Sequence, residues 1–371
     1  MSKLDKLTIK GFKSIRELNE FTLDAGMNVL IGANGAGKSN FVEFFRVLRA
    51  MVDQRLQKHI AQNGPADGFF HHGVGFTKQI EVDMFFGENR YAFTLEPTAD
   101  GRIMIGEEKM QYLTRGKFRT IGTGVFESKL SDVRNEDFVR YGAAHPGVGF
   151  YVFYSLSSWQ VYHFHDTSMT AGMRRDVGVD QCKQLNPDAS NLAAFLFNWE
   201  KESPDSYRLL RKTIQRIAPY FDAFEFKESE SGKERTVRLT WRQKGCDYVF
   251  QPGHLSDGTI RFICLATALL QPKPPTTIVF DEPEIGLHPH ALGLLSGLMR
   301  SASSRMQLVA STQSPVLLSE FPPEQIVTVN HRNGQSEFQR LEAEPLKEWL
   351  AEYSTGDLWQ KGVIEGGVNN E

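Results

Sequence analysis

The apolar positions of this chain change their period several times, and each change marks an element. Met27-Asn28-Val29-Leu30-Ile31 is a short apolar run that reads as a buried strand. Phe41-Val42-Glu43-Phe44-Phe45-Arg46-Val47-Leu48 has helical spacing and predicts a helix from about Asn40 to Ala61. Before them, Leu4–Lys10 alternates weakly as a first strand, Gly11–Ile15 turns out of it and Phe21–Asp24 returns. Ile80–Phe86 and Tyr91–Leu95 flank Gly87-Glu88-Asn89-Arg90 as the two arms of a hairpin, and Asp100-Gly101 leads into a further strand at Arg102–Ile105. Residues 115–180 mix Gly, Ser, Asp and aromatics without a clean period and are expected to hold a few short helices. Leu192–Glu200 and Tyr207–Tyr220 read as helices, the first with Asn191 as its N-cap. Strands follow at Phe224–Lys227, Val237–Trp241 and Tyr248–Phe250. From residue 256 the pattern alternates: helix at Ile260–Leu270, strand at Thr277–Phe280, helix at Ala291–Ser301, strands at Gln307–Ala310 and Ile326–Val329. That alternation is the mark of an α/β fold. Repeats and low-complexity segments are lacking, and the residues after about Ile364 read as frayed.

Composition narrows the class without naming a function. A chain of 371 residues with 40% hydrophobic and 23% charged residues describes an ordinary globular protein of one large or two ordinary domains. A formal net charge of −3 gives no overall electrostatic case for a nucleic-acid partner, although a local basic groove stays open. No apolar run approaches the roughly 18–20 residues that span a bilayer. The start, Met1-Ser2-Lys3-Leu4-Asp5-Lys6, lacks the apolar stretch of a signal peptide. Cys182, Cys246 and Cys264 are too scattered for a disulfide framework, so a reducing, cytoplasmic setting is expected.

The chemistry lies in three short segments. Gly32-Ala33-Asn34-Gly35-Ala36-Gly37-Lys38-Ser39 fits G-x-x-x-x-G-K-[ST], with a strand before it and a helix after it. Glycines there let backbone N–H groups turn toward phosphate oxygens, and the helix start adds its positive dipole. Lys38 is placed to reach β- and γ-phosphates, and the Ser39 hydroxyl to ligate Mg²⁺. Thr277-Ile278-Val279-Phe280-Asp281-Glu282-Pro283 is a strand ending in two carboxylates, a Walker B pattern: Asp281 holds the metal through water and Glu282 polarises an attacking water. Between them, Leu255-Ser256-Asp257-Gly258-Thr259-Ile260-Arg261 opens a helix. Ser256 and the Gly258 backbone make either an anion site or an ordinary N-cap.

The order of these segments, P-loop, then Ser-x-Gly at a helix start, then Asp-Glu after a strand, resembles the ABC-type ATPase heads of the RecF, SMC and OLD group in their compact AAA-type form. Leu7–Ile15 resembles their first strand and turn, Glu284-Ile285-Gly286-Leu287-His288-Pro289 their D-loop, and Ala310-Ser311-Thr312-Gln313-Ser314-Pro315 their switch segment. The resemblance spans about residues 4–330 and implies a P-loop NTPase fold with an antiparallel β subdomain and an inserted helical lobe. On this reading residues 1–371 form one ATPase domain. Residues 1–110 and 256–345 make the nucleotide-binding lobe, and 115–255 the inserted lobe that ends at the signature. It further implies that Asn34, Gly35, Gly37, Lys38, Ser39, Asn40 and Lys13 contact ATP. Ser256 and Gly258 would contact the ATP of a second subunit, and Ser39 and Asp281 would hold Mg²⁺.

Two departures bear on activity. The switch position, often His in the family, is Gln313, whose amide donates a hydrogen bond but does not exchange protons as imidazole does, so hydrolysis is expected to be slow. Residues 60–250 carry no sustained heptads, so no long coiled coil or zinc hook is expected. For the Q-loop, Trp159–Asp166 is the best segment, with Gln160 or His163 facing metal or γ-phosphate. A metal-dependent nuclease patch with His71 and His72, or plain strand-end histidines, are its rivals. Arg174 and Arg175 read as a solvated face, and the 27 Phe as core. The resemblance implies a head-to-tail homodimer bridged by two ATPs, open to larger assembly, that serves a separate effector protein as in bacterial antiphage defence. A RecF-like repair ATPase that clamps DNA is the alternative, and a transporter cassette a third reading.

Overall fold

The computed structural model describes residues 3–114, 116–142, 146–231 and 234–366. Strands β1 (Lys6–Phe12), β2 (Ile15–Thr22) and β3 (Met27–Ile31) lead through the glycine-rich loop into helices α1 (Lys38–Val52) and α2 (Leu56–Gln62). Strands β4 (Ile80–Phe86), β5 (Asn89–Pro97), β6 (Ile103–Tyr112) and β7 (Arg119–Val125) follow, then helices α3 (Leu130–Tyr141) and α4 (Gly147–Ser157). The chain continues through β8 (Gln160–Tyr162), β9 (Val177–Gly178), α5 (Leu192–Glu202), α6 (Pro204–Ile217), β10 (Phe221–Ser231), β11 (Glu234–Gln243) and β12 (Val249–Phe250). It ends with α7 (Asp257–Leu270), β13 (Thr277–Asp281), α8 (Pro289–Ser303), β14 (Gln307–Thr312), β15 (Ile326–Arg332), β16 (Gln335–Arg340) and short helical turns.

These elements build three sheets. The central one runs β16-β15-β3-β14-β13-β8, parallel from β15 to β8, with β16 antiparallel at the edge. An antiparallel sheet runs β2-β1-β4-β5-β6-β7, and a smaller one joins β10, β11, β12 and β9. The segment 115–255 therefore contributes to all three: β7 extends the antiparallel sheet, β8 closes the central one, and β10–β12 form the third. The central sheet separates two cores by the period-two alternation of its strands. Val29 and Ile31 of β3, Ile278 and Phe280 of β13, and Leu308 and Ala310 of β14 enter the core shared with α5–α8. Leu30, Val279 and Val309 point the other way, into the core shared with α1 and the antiparallel sheet.

Several local differences from the sequence expectation have clear causes. The helix expected over Asn40–Ala61 is two helices, because Gln54 takes a left-handed φ of 58° and breaks the ladder between them. Asn191 stands at the N-cap position of α5 as expected, but its side chain makes no capping bond: its amide donates to Gln181 O and Gln184 O, both at 2.7 Å, and its Oδ1 accepts from Asn186 N at 2.8 Å, which pins the preceding loop. Among the described residues no helix is long and apolar enough to cross a membrane.

Candidate functional site

The loop between β3 and α1 is shaped by what its glycines exclude. A Cβ on Gly32 would collide with Val329 O of the neighbouring β15. Gly37, at φ 109°, would meet the Ser336 and Ser14 hydroxyls, whereas Gly35, at φ 80°, has open space around it. Ser336 Oγ lies 2.6 Å from Ala36 O and 2.7 Å from Ser14 Oγ, and Asn40 Nδ2 donates to Ser14 Oγ at 2.7 Å. This floor of Ser14, Ser336 and Asn40 fixes the loop from outside its own sequence. Sequence reasoning missed the two serines, because single hydroxyls far apart in the chain carry no motif.

Helix α1 begins at Lys38 with Gly37 as a cap that has no side chain and with no acidic residue in its first turn, so its first N–H groups are free for an anion. Lys38 is buried, and its ammonium donates to Gly32 O at 2.7 Å and Ala33 O at 3.0 Å. Burial lowers its pKa, while the charges of Glu282, Asp281 and Glu284 favour the ammonium form. A desolvated cation facing three carboxylates beside free amides is the chemistry of a phosphate–metal site, and Asn34, Gly35 and Ser39 are exposed on its rim. Lys13 (φ 47°) holds its Nζ 4.9 Å from the centre of the Phe69 ring, and its carbonyl lies 2.8 Å from His71 Nδ1. Its contacts tie it to Phe69 and His71.

The carboxylates reach the same place because β14 lies between β3 and β13, which aligns the carboxyl ends of all three strands. Asp281 Oδ1 accepts from Ser311 Oγ at 2.7 Å, and Arg46 Nη2 lies 3.5 Å from Asp281 Oδ2. Glu282 follows at φ 47°, a left-handed conformation rare outside glycine, with its N–H directed at Ser311 O at 3.1 Å. The Gln313 amide donates to Glu282 Oε1. Glu284 Oε1 accepts from Thr312 Oγ1 at 2.6 Å and from Gln313 N at 2.9 Å, while its Oε2 is buried without a partner. Burial raises the Glu284 pKa.

The signature segment is built differently. Ser256 caps α7, its Oγ accepting from Thr259 N at 3.2 Å, yet Ser256 and Asp257 remain exposed. Arg174, expected on a solvated face, is buried: Nε donates to Thr167 O at 3.0 Å, Nη1 to Leu255 O at 3.1 Å and to Pro252 O, and Nη2 to Asp257 Oδ1 at 2.9 Å. Carbonyls buried in this turn need a donor, which the rigid guanidinium supplies. Arg261 works likewise from inside α7, donating to Phe164 O at 2.8 Å, His165 O at 3.0 Å and Ile285 O. The Gly258 Cα faces Gly286 O so closely that a Cβ would lie 2.8 Å from it. The signature helix is thus bolted to the segments after β8 and after β13.

Of the Q-loop residues, Gln160 and His163 line a groove of about 720 Å³ with Arg46, Arg49, Arg55 and Lys58. It is His165 that reaches the Walker B strand, with Nε2 3.0 Å from Asp281 O. The His71 and His72 rings lie 4.1 Å apart, tilted by 58°, and among the described residues no three or more His, Cys, Asp or Glu gather as a ligand set.

A family model described as "AAA domain, putative AbiEii toxin, Type IV TA system" matches residues 27–95 and 135–319. The chain belongs to this AAA-domain family. It is an ABC-type ATPase head of the RecF/SMC group in fold and motifs. The DNA replication and repair protein RecF of Cronobacter sakazakii is 23% identical over 372 aligned residues, covering 90% of this chain and 96% of that protein. The chromosome partition protein Smc of Myxococcus xanthus is 35% identical over 69 residues, 19% of this chain and only 6% of that protein. Among solved structures, an Smc head bound to the C-winged helix domain of ScpA superposes with a TM-score of 0.59 at 16% identity, covering 93% of this chain and 99% of that chain. An Smc head from Pyrococcus furiosus bound to the C-terminal domain of ScpA gives 0.57 at 15% identity, covering 95% and 99%. At these identities the structures establish the fold and leave partners and ligands to the residues themselves.

Proposed function

We propose that this ATPase head binds and slowly hydrolyses ATP, and that ATP closes two copies head to tail. The observation that carries the reading is the meeting of the Lys38 ammonium with Asp281, Glu282 and Gln313 at the ends of β3, β13 and β14, while Ser256 and Asp257 stay exposed elsewhere. The residues fit the nucleotide: free amides at the α1 start and Lys38 bind the β- and γ-phosphates. Ser39 and Asp281 would hold Mg²⁺, which neutralises phosphate charge when bound. Glu282 orients and deprotonates the attacking water, and the Gln313 amide fixes that carboxylate without titrating itself, which keeps turnover slow. The outward Ser256 and α7 start complete the γ-phosphate shell of a second subunit.

Closure serves a separate effector, in the manner of ATPase components of antiphage systems. A second reading, a RecF-like head that clamps DNA, draws on the alignment along nearly the whole of RecF.

Light-scattering mass with and without ATP tests the proposal. Glu282→Gln is expected to become a dimer or larger with ATP, and Lys38→Ala to stay unresponsive. A Glu282→Gln chain that binds ATP yet remains monomeric refutes the closure. DNA binding that weakens steeply with salt and stimulates hydrolysis would select the second reading.

A further inference from the structure

Glu284 lies outside the Walker B pair and, although its charge favours the Lys38 ammonium, its direct contacts are two hydrogen bonds to one oxygen. One oxygen takes both the Thr312 hydroxyl and the Gln313 backbone N–H, at 2.6 and 2.9 Å, and the other is buried with no partner. Burying a carboxylate costs stability unless its oxygens are satisfied, so this arrangement is expensive as scaffolding alone. Its two bonds fall on the residues that direct Gln313, whose side-chain amide donates to Glu282. The residue after it, Ile285, is 41% exposed, and its carbonyl holds Arg261 of the signature helix. One short turn therefore touches the partner-accessible surface, the signature helix and the switch.

Resting on the ATPase reading above, we propose that Glu284 is a positioning residue for hydrolysis: it holds the 312–313 backbone so that the Gln313 amide stays on Glu282, and it ties that placement to the exposed 285–288 turn. Glu284 acts through Gln313 and touches no reacting atom. In this role the carboxylate serves as a fixed acceptor for two donors. A glutamine keeps a carbonyl oxygen for both donors, whereas an alanine leaves Thr312 Oγ1 and Gln313 N without their acceptor.

The test uses the full chain with Glu284→Ala and Glu284→Gln, reading kcat and KM for ATP and the hydrogen exchange of residues 311–314. Glu284→Ala is expected to lower kcat on the order of 100-fold, as small misplacements of a reacting group do, with KM within about twofold. Glu284→Gln is expected to restore kcat to within several-fold. Exchange at the Gln313 amide should quicken in Glu284→Ala and stay slow in Glu284→Gln. An alanine variant with unchanged kcat and exchange, a glutamine variant as impaired as alanine, or a rise in KM matching the fall in kcat would overturn the inference. If the wild-type chain binds ATP without hydrolysing it, the ATPase reading fails by itself, and unchanged Gln313 exchange in Glu284→Ala would overturn the positioning role independently.

Discussion

The P-loop and the signature segment are both helix starts to which the proposed function gives an anion, but the molecule builds them in opposite ways. The P-loop is packed tightly against its own subunit. Its lysine is buried against its own carbonyls, and its glycines press on Val329, Ser14 and Ser336. The signature start is held from behind by Arg174 and Arg261, whose donors all go to backbone carbonyls or to Asp257, while Ser256 and Asp257 face outward. A site braced on its back and open at its front is shaped to meet something outside its own subunit. On the proposed function the P-loop needs only ATP. The lesson is that damage to the first should abolish nucleotide binding, whereas damage to the second should spare binding and abolish closure.

The sharpest way to break that contrast is Lys38→Ala. Losing charge-assisted bonds to phosphate is worth about 1.5–3 kcal/mol, so ATP affinity should fall on the order of 10- to 100-fold, measured with a fluorescent nucleotide. Urea unfolding should show no matching loss of stability, because the deleted ammonium is one that burial already disfavours. A Lys38→Ala chain with wild-type affinity would sink the assignment of the P-loop.

Arg174→Met addresses the other side. It strands the carbonyls of Thr167 and Leu255, each in a buried residue and each costing about 1–3 kcal/mol when its donor is lost, while Pro252 O keeps the Leu255 N–H at 3.1 Å. The expected result is a destabilised chain that still binds ATP with near wild-type affinity but no longer gains mass with it. Arg174→Lys should not rescue closure, since a single ammonium cannot serve carbonyls spread around a planar fork. Scattering and nucleotide titration on the same samples separate the two effects, and a parallel loss of both would erase the contrast.

What the sequence revealed follows the same division. The P-loop, Walker B pair and switch could be located because each is a run of neighbours with fixed offsets, and β3 was readable to its last residue because a strand buried on both faces leaves a nearly continuous apolar run. Arg174, Arg261, Ser14, Ser336 and Glu284 were not readable in these roles. Their partners are mostly backbone carbonyls, amides or lone hydroxyls far away in the chain, and such partners leave no trace in composition. The stretch 115–180 resisted for another reason. Strand β7 is not fully buried at any position, so it lacks alternation, and α4 is an aromatic-rich run that fits either element. Asn191 was legible as the start of α5, but not the use of its side chain, because the residue type that caps helices also pins loops.

Two glycines offer a matched pair. Gly258→Ala sets a Cβ 2.8 Å from Gly286 O, closer than side chains tolerate, and should cost about 1–3 kcal/mol while opening the 286 turn away from α7. Gly35→Ala meets no neighbour and is penalised only by its φ of 80°, about 1–2 kcal/mol. The comparison predicts that Gly258→Ala loses ATP-dependent mass with affinity intact, and that Gly35→Ala loses affinity first. The reverse pattern would mean that the signature glycine serves the subunit's own site.

The smallest expected effect is on stability against pH at Glu284, and its sign is firm. Burial raises this carboxyl's pKa above the ordinary 4.5, so the folded chain holds the proton to higher pH than the unfolded chain does. Below about pH 4.5 the group is protonated in both states, and Glu284→Gln should match wild type. As pH rises past that value the unfolded chain ionises freely while the folded one resists, so wild type loses stability that the glutamine variant keeps. Urea unfolding at several pH values should therefore show the Glu284→Gln advantage emerging above pH 4.5 and levelling off once the folded carboxyl ionises as well. If wild type instead gains on the variant as pH rises, the carboxylate is stabilised by a charge, and the buried oxygen has found a cationic partner.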